Sequence, residues 1–153
     1  MAVNFRARVA TGVNGLTLDI SIEESAAAER RPNCGPFSSE EEALAQVVAR
    51  LVQGLDPEQV WLFGSRAEGR HAPDSDFDLL VVTKADSGDA GFDYDAAYAP
   101  IKGLGVGCDV VPCRADEFNI ARSDQTSLGW HVLQTGKKLY ERAAPDLRVL
   151  HSR

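Results

Sequence analysis

From Ala43 to Leu55 the chain places Ala43, Leu44, Val47, Val48, Leu51, Val52 and Leu55 at helical spacing, which predicts one amphipathic helix with a single apolar stripe. Ser39, with Glu42 three residues on, has the spacing of a capping box, and the acidic residues that follow suit a helix N-terminus. Gly54 and Pro57 predict its end. The period then changes. Val60–Phe63 is a short apolar run that stops at Gly64, Phe77–Thr83 is a second run rich in β-branched residues, and Cys108–Cys113 is a third, shortened by Pro112. Between them, residues 84–91 read as a polar loop, and Phe92–Lys102 as a weak helix that Pro100 caps or kinks. Asp116–Arg122 and Thr126–Gln134 read as two short helices, and Lys138–Glu141 as a last strand. Strands and helices alternating this irregularly predict an α/β (α+β) fold, a mixed β-sheet flanked by helices rather than a doubly wound one.

Residues 1–37 have a different texture. Leu16, Leu18, Ile20 and Ile22 alternate within Val13–Ile22, as in a half-buried strand, while residues 23–37 carry Pro32, Gly35 and Pro36 and read as a linker. The expected organisation is an N-terminal extension over 1–37, one domain over 38–142 and a polar tail over 143–153. A chain of 153 residues suits one such domain.

Composition narrows the function classes. With 44% hydrophobic and 25% charged residues the balance is that of a globular protein. The formal net charge of −7 repels a phosphate backbone and argues against tight nucleic-acid binding, yet a metal ion can offset the charge of a single nucleotide locally. No segment has the length to span a bilayer, and the first residues lack the apolar run of a signal peptide. Three cysteines, Cys34, Cys108 and Cys113, are odd in number and suit no disulfide framework, so a cytoplasmic location is expected. Cys108 and Cys113 have no second ligand pair and read as packed thiols rather than a zinc site.

The chemistry is concentrated in Val60–Thr83. There Gly64-Ser65 is followed, after ten residues, by Asp76-Phe77-Asp78 at the start of a strand. Residues two apart in a strand share a face, so Asp76 and Asp78 present adjacent carboxylates that repel unless a cation lies between them. Mg²⁺ suits such oxygen donors, together with phosphate and water. Asp109, at the start of the third apolar run, supplies another carboxylate if the strands are neighbours, and three can hold two ions about 3.5–4 Å apart. Gly64 lets the backbone approach a phosphate closely, Ser65 adds a hydroxyl, and Arg66 and Arg70 add guanidinium groups. Such a site would hold a nucleoside triphosphate with its metals, with Asp109 placed to accept the proton of an attacking hydroxyl.

At these residues, GSRAEGRHAPDSDFDLLVV at 64–82 preceded by VWLF, with CDVV at 108–111 and GKKLYE at 136–141, the chain resembles the minimal nucleotidyltransferases of the DNA polymerase β-like superfamily. The resemblance spans about 38–142 and implies a mixed sheet flanked by helices, with Gly64 and Ser65 contacting the triphosphate and Asp76, Asp78 and Asp109 as catalytic metal ligands. It further implies ATP as donor, AMP passed to a hydroxyl with release of pyrophosphate, and a HEPN-type helical protein partner in a toxin–antitoxin pair, in some cases modified on a tyrosine. The extension over 1–37 departs from the minimal pattern. It leaves open an added strand or self-association into a homo-oligomer.

Two other readings compete, a non-catalytic antitoxin-like interaction protein and an antibiotic-modifying nucleotidyltransferase, for whose usual second domain the chain has little room. The remaining conspicuous residues have ordinary explanations. Gly103, Gly105 and Gly107 precede a strand and lack dinucleotide-binding spacing. His71 reads as a solvated loop residue, His131 and Trp130 as helix packing, Trp61 and Phe63 as core, and Lys137 and Lys138 as a solvated pair.

Overall fold

The computed structural model describes residues 6–12, 15–21 and 30–144. The chain divides into two units, Met1–Arg31 and Pro32–Arg153. In the first, β1 (Arg6–Gly12) and β2 (Gly15–Ser21) form an antiparallel hairpin in the register Gly12↔Gly15 to Arg6↔Ser21. Sequence periodicity gave one strand here, where the structure has two. Val13, Asn14 and Ile22 of that expected strand, residues 23–29 of the expected linker and residues 145–153 of the expected tail lie outside the described residues.

The second unit is built on a four-stranded sheet in the order β5-β4-β3-β6. Its strands are β3 (Gln59–Phe63), β4 (Phe77–Thr83), β5 (Cys108–Arg114) and β6 (Lys137–Glu141). β3 runs antiparallel to β4 and to β6, whereas β4 and β5 are parallel. The sheet is therefore mixed, as the irregular alternation predicts. A parallel pair needs a long crossover, and residues 84–107 supply it, carrying the short helix α3 (Tyr94–Tyr98) between two 3₁₀ turns.

Alternation along the central strands sends side chains into two cores. Val60, Leu62, Phe77, Leu79 and Val81 face the long helix α1 (Glu40–Leu55), where Ala43, Val47 and Leu51 are buried with Ala97 and Ile101. Trp61, Leu80 and Val82 face the other way, onto Phe118 of α4 (Ala115–Ala121) and Val132 of α5 (Leu128–Thr135). Each fully buried Leu or Val on this sheet is worth roughly 1.5–3 kcal/mol relative to exposure.

The ends of α1 differ in detail from a simple sequence reading. Ser39 Oγ does accept the Glu42 N–H, at 3.1 Å, but the Glu42 carboxylate turns to the Ser38 N–H and hydroxyl rather than closing a capping box with Ser39. Gly54 does not stop the helix, which runs to Leu55. The cap is Asp56 (φ 49°), whose N–H bonds to the Val52 carbonyl at 3.0 Å. Aspartate tolerates this left-handed conformation better than most residues, and its side chain pairs with Lys84 and Arg142. Gly54 is instead a point of close approach, since a Cβ there would lie 2.7 Å from the ring of Pro100.

Candidate active site

The Gly-Ser bend and the three aspartates gather at one end of the sheet. β3 ends at Phe63, and Gly64 and Ser65 turn directly into α2 (Gly64–Ala67), a single turn of helix. Phe63 pairs with Asp78 across the antiparallel ladder, which sets the bend beside the start of β4. Gly64 has φ +70°, and a Cβ on it would come closer than 3.0 Å to the Asp78 carboxylate. Only glycine allows both the backbone conformation and the approach.

Asp78 and Asp109 are register partners on the parallel strands β4 and β5. Between Asp76 and Asp78, Phe77 is buried in the α1 core, so the two aspartates flank it toward the opposite face, as strand alternation requires. Asp76 Oδ1 lies against Gly107, where an added Cβ would come closer than 3.0 Å to it. Asp76 and Asp109 are exposed, and Asp78 and Ser65 are half-buried. Burial, then the negative charges of Asp109 and Asp76, then a hydrogen bond with Asp109, push the Asp78 carboxyl above the ordinary carboxylate range. The cluster thus concentrates negative charge around the Asp78 carboxyl.

As the side chains stand, no three His, Cys, Asp or Glu groups among the described residues are arranged to hold a metal ion. The donor chemistry nevertheless fits a hard divalent cation. The donors are all carboxylates, two of them adjoin across a strand pair, and the innermost is destabilised by burial and by like charge, penalties that a bound cation offsets. Beside them, burial and then the negative aspartates push the Cys108 thiol up to about 12. Burial likewise raises Cys113 to about 11, and all three cysteines are free.

Arg66 is placed differently from the phosphate-facing role expected of it. Its side chain is buried, ion-paired with Glu40 at 3.0 Å, and its guanidinium stacks 4.2 Å from the ring centre of Phe77. Nε donates to the Ser75 carbonyl at 2.8 Å and Nη2 to the Pro73 carbonyl at 3.2 Å. The fork is spent on the 70–76 loop and the start of α1, pointing inward. Arg70 and His71 are exposed, with Arg70 held by Glu68. Asn33, which binds this loop, and Glu40, which holds Arg66, are not read as site residues from the sequence, because only folding brings them there.

A mixed sheet with carboxylates at the head of two adjacent strands, beside a glycine-serine bend, is an arrangement suited to transfer of a phosphorus-containing group. The sequence profile of the family described as "Nucleotidyltransferase domain" matches residues 41–129, more than half of the chain. The chain belongs to this family, and it is a nucleotidyltransferase enzyme. Its fold is similar to that of a Sulfolobus solfataricus protein carrying a provisional nucleotidyltransferase assignment. The two share 22% identity over 65% of this chain and 78% of that one, with a TM-score of 0.45. It is also similar to a chain of a toxin–antitoxin structure with AMP-PNP, at 26% identity over 63% and 73% of the two chains and a TM-score of 0.43. No curated protein is significantly similar to the chain. No helix among the described residues is long and apolar enough to cross a membrane.

Proposed function

We propose that this nucleotidyltransferase uses Mg²⁺ held by Asp76, Asp78 and Asp109 to move AMP from ATP to a hydroxyl group on a protein. The observation that carries the proposal is the pairing of Asp78 with Asp109 across β4 and β5, with Asp76 alongside and the Asp78 carboxyl raised by burial and then by their charge. When bound, the ions would neutralise charge on the triphosphate and make its α-phosphorus more electrophilic. The Gly64-Ser65 backbone, free of a side chain at its first residue, lets a polyphosphate approach the bend, and the Ser65 hydroxyl can donate to a phosphate oxygen. Asp109, exposed at the rim, accepts the proton of the incoming hydroxyl. Arg66 serves by holding the loop that leads into Asp76.

A protein acceptor agrees with the net charge of −7, which disfavours a polynucleotide. The resemblance to minimal nucleotidyltransferases adds a HEPN-type partner in a toxin–antitoxin pair. Incubating the purified protein with labelled ATP and Mg²⁺, with and without the product of the adjacent gene, tests the reading. Pyrophosphate release and a labelled acceptor are expected, both lost in Asp76→Asn and Asp109→Asn. Wild-type behaviour of both variants would refute it. Neutralisation of a toxic partner by the variants as well as by wild type would favour the alternative of binding alone.

A further inference from the structure

One amide side chain joins the two strand ends that carry the aspartates. Asn33, in the turn before α1, has its own N–H on the Pro73 carbonyl at 3.0 Å and on Glu40 Oε1 at 3.2 Å. Its side-chain Nδ2 donates to the Ser75 carbonyl at 3.1 Å and to the Gly107 carbonyl at 2.8 Å, and its Oδ1 accepts the Gly107 N–H at 2.7 Å. Ser75 is the residue immediately before Asp76, and Gly107 lies two before Asp109. The β4–β5 ladder pairs Phe77 with Cys108, and the Phe77 N–H bonds to the Gly107 carbonyl at 3.0 Å. At Ser75 and Gly107, Asn33 adds a bracket from one strand end to the other.

We infer that Asn33 is a positioning residue for the metal-binding aspartates, setting the separation of Asp76 from Asp109 before any ion arrives. This rests on the reading of those aspartates given above. Like charges on β4 and β5 push the two strand ends apart, and the bracket resists that spreading without adding charge. An asparagine side chain suits the task because it has two donors and an acceptor on one rigid plane. Its N–H groups take the Ser75 and Gly107 carbonyls while its oxygen returns to the Gly107 N–H. Aspartate at 33 would keep the acceptor, lose both donors and add another negative charge. Arg66 donates to the same Ser75 and Pro73 carbonyls, so the Asp76 end is held twice. At Gly107, Asn33 is the side chain that supplies the side-chain hydrogen bonds among the described residues.

The test measures Mn²⁺ affinity of the full chain by electron paramagnetic resonance, alongside urea unfolding. In Asn33→Ala the Mn²⁺ dissociation constant is expected to rise on the order of tenfold, as for residues that orient metal ligands, while unfolding stays cooperative. Asn33→Ser, which can keep one of the bonds, should fall between Ala and wild type. Unchanged Mn²⁺ affinity in folded Asn33→Ala, even with lower stability, would overturn the inference, and so would failure of both variants to fold, since the residue would then be merely structural. Asp76→Asn and Asp109→Asn separate the two readings. If they bind Mn²⁺ as wild type does, or wild type binds none, the metal site itself is refuted and the bracket goes with it. If they lose Mn²⁺ and Asn33→Ala does not, only the bracket is wrong.

Discussion

Gly64 and Gly69 share a positive φ, +70° and +71°, but not an environment: a Cβ at Gly64 would collide with Asp78, whereas one at Gly69 would meet nothing within 4 Å. Substituting alanine at each therefore separates backbone strain from contact. The left-handed conformation costs a non-glycine residue about 1–2 kcal/mol, and both variants should lose about that much in urea unfolding. At Gly64 there is more. The new methyl must displace a carboxylate whose Cγ would be 3.3 Å away and whose Oδ2 would be closer than 3.0 Å. A shift of this group on the order of 0.5–1 Å is enough to cost up to about a hundredfold in rate when reacting groups must be aligned. Gly64→Ala should thus lose roughly ten- to a hundredfold in pyrophosphate release with ATP and Mg²⁺, measured at saturating substrate where the protein is fully folded. Gly69→Ala should keep its rate. Equal rates for the two variants would show that the contact between the bend and Asp78 has no bearing on chemistry.

Two further outcomes follow from the charges. Asp78→Asn should unfold at a higher temperature than wild type when both are metal-free, because it removes a carboxylate raised by burial and by Asp109 and Asp76; it should also lose the upward shift in melting temperature that Mg²⁺ gives wild type, which differential scanning calorimetry reads directly. Glu40 is held below its usual 4.5, first by hydrogen bonds from Arg66. A lowered carboxyl stabilises the fold fully above its unfolded pKa, and that contribution disappears as pH falls through the lowered value. Glu40→Gln should therefore be less stable than wild type at neutral pH, with the difference shrinking once the pH falls below 4.5. A difference that stayed constant across the titration would exclude the ion pair as its source.

The elements that could be read from the chain are those whose signal is local. The stripe from Ala43 to Leu55 and the apolar runs of β3, β4 and β5 each state their period within a few residues, and the Gly64-Ser65 bend and Asp76-Phe77-Asp78 lie within one segment. Sequence does not report contacts between distant segments. Arg66 looks like a phosphate ligand because it follows the bend, and only the approach of Glu40 and the carbonyls of Pro73 and Ser75 turns it inward. Asn33 sits among prolines and glycines that read as linker, and its partner Gly107 is 74 residues away. Gly54 carries the usual mark of a helix end, yet Pro100 accounts for it. Alternation within Val13–Ile22 marks one strand but does not report its partner, and only the pairing from Gly12↔Gly15 to Arg6↔Ser21 shows the second.

The strand order leaves β5 and β6 as the two rims of the sheet, and they are unequal invitations to a neighbouring chain. β5 carries Pro112 in its middle, paired on its inner side with Val81. Proline has no amide hydrogen to offer, so any polypeptide laid along that rim forfeits a rung halfway along, a common safeguard against unwanted polymerisation. β6 has no such interruption and spans Lys137–Glu141. Growth of this sheet by an added strand is thereby directed to the rim farthest from Asp109, and an extended segment docking there would leave Asp76 and Asp109 exposed.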